Sequence, residues 1–331
     1  MYISRENLIR IAKETAQKSA LVDPGLVAAY LTGSVRSDAP FLGNAADIDI
    51  VFVHAGEPKI RREIIALTPE IHLDIVHNPR SLYDKPKELR VHPWLGPELY
   101  DPMPLYVTRH FFEFIQAGVR DRFHEPANIQ TRSHQLAESA RQTWRELQPG
   151  QPHGPQQILG YLTGIHLAAN AIATLAGNLL AERRFLLQFP VCAEAAGQPA
   201  LTEGILNMLG ANQVDAASLA SLLPEWEKAF IEATSCPSVD GRIAAPRLGY
   251  YKLACEALLE SETPQVILWP LMLTWTLSVS VLPPAWKAPW LSACETLGLG
   301  EAAFGRRLDD LDRFLDDIEA IQERLTASQG L

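Results

Sequence analysis

Apolar positions recur at helical spacing in SRENLIRIAKETAQKSA (Ser4 to Ala20), where Leu8, Ile9, Ile11 and Ala12 follow Ser4, a residue type that caps helix N-termini. The pattern predicts an amphipathic helix. After an Asp23-Pro24-Gly25 turn, LVAAYLTG is a short apolar run that predicts a strand, and IDIVFVH, rich in β-branched residues, predicts a second. EPKIRREIIALT predicts a helix. EIHLDIVH alternates and predicts a third strand, while SLYDKPKELR reads as helical or irregular.

Past about Leu105 the character changes. HFFEFIQAGVRDRF, ANIQTRSHQLAESARQTWREL, the run from Gln156 to Leu180, AASLASLLPEWEKAFIEAT, PRLGYYKLACEALLE and EAAFGRRLDDLDRFLDDIEAIQERL all carry apolar residues at helical spacing, with no convincing strand alternation. QPGQPHGP (Gln148 to Pro155) is the clearest Pro/Gly break. The expected fold class is α+β. A small domain with a mixed sheet flanked by helices, residues 1–115, precedes an all-α helical bundle, residues 116–331.

Composition narrows the function classes. The chain has 331 residues, 47% hydrophobic and 21% charged, with a formal net charge of -10. Such an acidic balance repels polyanions over the general surface and disfavours long nucleic acid or an anionic membrane as partner. Cys192, Cys236, Cys255 and Cys294 form no CxxC pair, and MYISRENLIRIAK is too charged for a signal peptide, so a reducing cytoplasm is expected. Ile158 to Leu180 and Val266 to Leu282 lack formal charge, but His166, Asn170 and Asn178 interrupt the first and Pro270 the second. Buried helices of a bundle account for both without a bilayer span of roughly 20 residues.

The candidate chemistry lies in LTGSVRSDAPFLGNAADIDIVFV (Leu31 to Val53). Strand residues two apart face the same way, so Asp47 and Asp49 project from one face while Ile48, Ile50 and Phe52 project from the other. Two neighbouring carboxylates repel unless a cation joins them, and hard oxygen donors suit Mg²⁺, with Mn²⁺ as an alternative. Asp74, in EIHLDIVH, shares its strand face with His72 and joins the pair if the strands are neighbours. Upstream, Gly33 permits a tight turn and close backbone approach, and Ser34 offers backbone N–H groups and a hydroxyl to an anion such as a triphosphate. Arg36 adds a charge-assisted phosphate contact.

Taken together, Thr32-Gly33-Ser34, a twelve-residue loop from Val35 to Ala46, Asp47-Ile48-Asp49 and the later Asp74 resemble the signature of the DNA-polymerase-β-like nucleotidyltransferase superfamily. The likeness covers roughly residues 25 to 80. Thr32 stands where a hydrophobic residue is usual, and the loop is longer and less polar than in small members. The strand-rich part followed by helices is also similar to the stand-alone and antibiotic nucleotidyltransferases of that group.

The resemblance implies a catalytic and metal-binding set of Asp47, Asp49 and Asp74 around two Mg²⁺ ions, with Gly33, Ser34 and Arg36 binding the nucleotide. It implies transfer of a nucleoside monophosphate, AMP from ATP by default, to a hydroxyl of a small molecule or protein, with release of pyrophosphate. The alternative is a nucleotide-binding regulatory or antitoxin-like interaction protein with little turnover.

Other features read more plainly. His54, His72, His77 and His92 lack the spacing or cysteine partners of a zinc site and are expected as polar or stacking residues, His72 lying on the face of Asp74. Arg247, Tyr250, Tyr251 and Lys252 are expected in or beside a helical core. LDDLDRFLDDIEAIQERL is expected as a solvated helix face with Leu308, Leu311, Phe314, Leu315 and Ile318 inward.

Overall fold

In the computed structural model of the chain, the Ser4 hydroxyl accepts from the Asn7 amide at 3.3 Å and opens α1, Arg5–Val22. The structure describes residues 4–147, 152–177 and 179–329; Met1 to Ile3, Asn178 and the Gln148–Gln151 part of the Pro/Gly break lie outside them. Two compact units divide the chain, Met1–Asn128 and Ile129–Leu331.

The first unit is α+β. Its strands are β1 (Leu26–Leu31), β2 (Ala46–His54), β3 (Arg62–Ala66), β4 (Ile71–Pro79) and β5 (Met103–Val107), and they form one sheet in the order β3-β4-β2-β1-β5. Only β2 and β4 run parallel, with Asp47 beside His72, Asp49 beside Asp74 and Val51 beside Val76; the other pairs are antiparallel. The pleat sorts the side chains. Ile48, Ile50, Phe52, Leu73 and Ile75 pack with Leu8, Ala12 and Ala16 of α1. On the opposite face, Tyr30, Val51 and Val53 pack against α2 (Pro86–Arg90), α3 (Leu95–Tyr100) and α4 (Phe111–Arg120) through Leu89, Leu99, Phe112 and Ile115.

Two elements differ from expectation. The stretch EPKIRREIIALT contains the strand β3, not a helix: Arg62 to Ala66 pairs antiparallel with β4 as the sheet edge. Arginine, glutamate and isoleucine satisfy a helical pattern, but the hairpin with β4 offers Glu63 to Ile65 a partner for every second backbone group, and the tertiary pairing outweighs local propensity. The strand β5 lies at the change of character near Leu105 and completes the other edge. Since α4 belongs to the core of the first unit, that unit runs on to Asn128, past the expected division at residue 115.

The second unit has only helices among its described residues. Chain order gives α5 (Pro126–Glu146), α6 (Pro155–Leu175), α7 (Phe185–Ala195), α8 (Ala200–Met208), α9 (Ala216–Ala233), α10 (Leu248–Leu259), α11 (Leu268–Val281), α12 (Lys287–Thr296) and α13 (Glu301–Gln329). The helices Pro155–Leu175 and Pro264–Val281 are long and apolar enough to cross a membrane by length and composition, and 67% and 78% of their apolar windows are buried within the protein. Two buried indoles find hydroxyl partners on α11: Trp226 Nε1 donates to Thr274 Oγ1 at 2.9 Å and Trp290 Nε1 to Thr276 Oγ1 at 3.0 Å. Tyr250 and Tyr251 are core residues, with the Arg183 guanidinium 3.5 Å from the Tyr250 ring centroid.

Leu308, Leu311, Phe314, Leu315 and Ile318 face inward from α13. Part of its acidic face, though, grips a cation: Arg141 of α5 donates to Asp316 Oδ1 at 2.7 Å and Glu319 Oε1 at 2.8 Å and also pairs with Asp312. Arg141 itself is nearly buried, so losing it removes three charge-assisted bonds and leaves three acids in mutual repulsion. Arg141→Met is expected to lower the stability of the helical unit by about 1–3 kcal/mol in urea unfolding of the full chain.

Candidate functional site

The parallel register of β2 and β4 decides the site. Side chains in register on parallel neighbours share a sheet face, so Asp47, Asp49, His72 and Asp74 lie on one face, opposite α1. Asp47 is 8% exposed, Asp74 1%, and His72 is fully buried. Buried carboxylates need a counter-charge. For Asp74 the structure supplies one from β3: Arg62 Nε donates to Oδ1 at 2.7 Å and Nη2 to Oδ2 at 2.6 Å. This is the two-pronged geometry in which guanidinium and carboxylate match best.

The glycine lies where close approach is needed. Gly33 has φ 68° and leads into a 3-10 turn, Ser34–Arg36. A Cβ on Gly33 would come within 1.8 Å of Asp49 Oδ2, so its backbone rests directly on that carboxylate. Glycine is thus required twice over, for its conformation and for the space. The Thr32 amide also donates to the Asp49 carbonyl at 2.9 Å. Arg5 of α1 holds the turn from behind, donating to the Val35 and Arg36 carbonyls at 2.9 Å each.

Ser34 Oγ donates to the Pro40 carbonyl at 3.2 Å, closing the long loop. Arg36 points to the end of α3, bonding the Asp101 carbonyl and lying 3.6 Å from Asp101 Oδ2. As it stands, then, Arg36 is engaged with Asp101. Among the described residues, no set of three or more His, Cys, Asp or Glu side chains is arranged to hold one metal ion. The three aspartates share a face without closing on a common point.

Three neighbours escaped the sequence reading. Arg62 sits in the stretch expected as helix, so its reach to Asp74 depends on a hairpin register that the sequence pattern did not suggest. Tyr30 projects from β1 beside Val51, its hydroxyl 3.1 Å from that of Tyr83, which accepts from Asn78 Nδ2 at 2.9 Å. Glu98 of α3 interacts with the Tyr30 hydroxyl, and burial pushes its carboxyl up to about 7, against the lowering effects of Tyr30 and the Arg36 charge. A carboxyl that takes and gives a proton near neutrality beside an acidic sheet face is a group suited to acid–base chemistry.

Asp47 and Asp49 present carboxylate oxygens, which are hard donors, from one strand face, and the Gly33 backbone lies beside Asp49. No protein-family model matches the chain, and no curated protein matches it.

Two outcomes follow from this geometry. Gly33→Ala forces a side chain into Asp49 at a positive φ and is expected to cost about 2–3 kcal/mol in chemical unfolding. For Glu98, the folded carboxyl binds its proton more tightly than the unfolded one, so its contribution is full at acid pH and is lost as pH rises through about 7. Glu98→Gln is therefore expected to stabilise the protein at pH 8 relative to pH 5, by on the order of 1 kcal/mol, read from unfolding midpoints of both proteins at the two pH values.

Proposed function

We propose that the chain is a nucleotidyltransferase that moves a nucleoside monophosphate from a nucleoside triphosphate, ATP by default, to a hydroxyl of a small molecule or protein. The observation that carries this reading is the placement of Asp47, Asp49 and Asp74 on one face of paired parallel strands, with Gly33 resting on Asp49. The residues fit Mg²⁺ in part. Asp47 and Asp49 provide the hard oxygen donors, whereas both oxygens of Asp74 are taken by Arg62.

When bound, the metal neutralises charge on the phosphates and so favours attack at the α-phosphorus. Asp47 and Asp49 would hold it. Gly33 and Ser34 would orient the leaving pyrophosphate by backbone contact, and a side chain at position 33 would displace Asp49. Asp74, once released from Arg62, would accept the proton of the attacking hydroxyl, and Arg62 would be freed toward phosphate. A cytoplasmic setting, with no membrane and no long nucleic acid as partner, suits the acidic composition.

The Arg62–Asp74 pair also favours a second reading, a nucleotide-binding regulatory protein with little turnover, because it keeps the third carboxylate occupied. The two readings part on incubation with α-labelled ATP, Mg²⁺ and a panel of hydroxyl acceptors. The enzyme reading expects labelled acceptor and pyrophosphate, with Asp47→Asn and Asp49→Asn each slower by at least about 100-fold. Pyrophosphate release that survives Asp49→Asn unchanged would reject it. Under the regulatory reading, nucleotide binds but neither wild type nor Arg62→Gln turns over.

A further inference from the structure

The pair formed by Arg62 and Asp74 is asymmetric in its exposure. Asp74 is 1% exposed, whereas the Arg62 side chain is 42% exposed. In the Arg141 cluster the order is reversed, with a nearly buried cation and acids that reach water. Both bonds to Asp74, at 2.7 and 2.6 Å, come from β3, the outermost strand of the sheet. Arg62 is opposite Val76 in the antiparallel register, so it reaches along the sheet face to Asp74, two residues back on β4. The carboxylate is thus fixed in the interior, while its partner is carried on an edge. The guanidinium can turn out to water without opening the core.

On its other side Asp74 is in register with Asp49, on neighbouring strands set about 4.8 Å apart. A divalent cation that joins these two carboxylates needs an oxygen of Asp74, and Arg62 donates to both. Such an ion would also lie within a few ångströms of the guanidinium, where little water screens the repulsion between them. We infer that Arg62 is an internal competitor of the divalent cation. Its guanidinium closes Asp74 in the metal-free protein, and cation uptake at Asp74 and the Arg62–Asp74 pair exclude one another. Such competition regulates the proposed cation site of Asp47, Asp49 and Asp74; it rests on that reading but not on turnover.

The exclusion has a direction. A buried carboxylate needs a counter-charge at all times, and without metal the chain supplies one from β3. An incoming cation takes over that role only by displacing the guanidinium. The cation affinity of the wild type is therefore the intrinsic affinity reduced by the fraction of chains in which Arg62 has let go. Linkage makes the effect mutual, so whatever Arg62 costs the cation, the cation costs the ion pair. A nucleoside triphosphate favours the exchange twice, by adding oxygen ligands to the metal and by offering phosphate oxygens to the released guanidinium.

The test is Mn²⁺ binding to the full chain without nucleotide, followed by electron paramagnetic resonance. Arg62→Gln is expected to bind Mn²⁺ about tenfold or more tightly than wild type. Arg62→Lys keeps the charge without the two-pronged contact and is expected to fall between them. Asp74→Asn added to Arg62→Gln is expected to abolish the gain. In the wild type, the NMR signal of the Arg62 Nε–H is expected to be protected from solvent exchange without metal and to lose that protection as Mg²⁺ and ATP are added. Equal, measurable Mn²⁺ affinity of wild type and Arg62→Gln would overturn the competition and leave the cation site standing, whereas no uptake by either removes both. Tighter binding by Arg62→Gln with no nucleotidyl transfer to any acceptor upholds the competition and rejects the enzyme. If Arg62→Gln does not fold, the wild-type signal decides: an Nε–H that stays protected at saturating Mg²⁺ and ATP, or a chain that takes up no Mg²⁺, overturns the inference.

Discussion

Everything proposed for the first unit depends on the pairing of β2 with β4. The pairing is parallel, and its register brings Asp49 beside Asp74 and Asp47 beside His72. A slip of one residue would turn the aspartates into the α1 core and expose Ile48, Leu73 and Ile75. The hydrophobic face therefore locks the acidic face: burying five aliphatic and aromatic side chains against α1 holds the carboxylates where their mutual repulsion alone would not. At Asp74 the repulsion is relieved locally, by the two-pronged contact with Arg62.

Edge strand β3 gains significance from this. Its two consecutive charged residues serve opposite sides of the sheet, Arg62 holding Asp74 in front and Glu63 meeting His77 behind. Edge strands keep only one neighbour and are the least firmly held part of a sheet. A side chain whose release would free a buried carboxylate is thus mounted on the element best able to move.

Much of this could be read from the chain itself. The β-branched content of IDIVFVH and the alternation in EIHLDIVH marked the strands, and the two-residue repeat of strand side chains placed Asp47 and Asp49 on one side of β2 and Asp74 on one side of β4. Ser4 marked the start of α1. The longer bundle helices, α5, α6, α9, α10, α11 and α13, were legible because long apolar patterns leave little ambiguity, whereas the shorter α7, α8 and α12 gave no such signal. By contrast, RREII is short and fits either period, and only pairing with β4 makes it a strand; MPLYV is five residues long and includes Pro104, which weakens any strand signal. Arg62 and Glu98 were illegible for a related reason. Their roles arise from contacts across the fold, Arg62 with a residue on the adjacent strand and Glu98 with Tyr30, and no local pattern encodes such distances. The division at residue 115 fell short because the apolar spacing of α4 looks the same whether the helix covers a sheet or joins a bundle.

The proposed chemistry requires that the Asp47–Asp49 face take a divalent cation together with a nucleotide. Mn²⁺ binding followed by electron paramagnetic resonance, with and without ATP, measures this without relying on an acceptor. ATP is expected to strengthen Mn²⁺ uptake by the wild-type chain, and Asp49→Asn, still folded by circular dichroism, is expected to abolish the gain. Equal Mn²⁺ uptake by wild type and Asp49→Asn in the presence of ATP would contradict it.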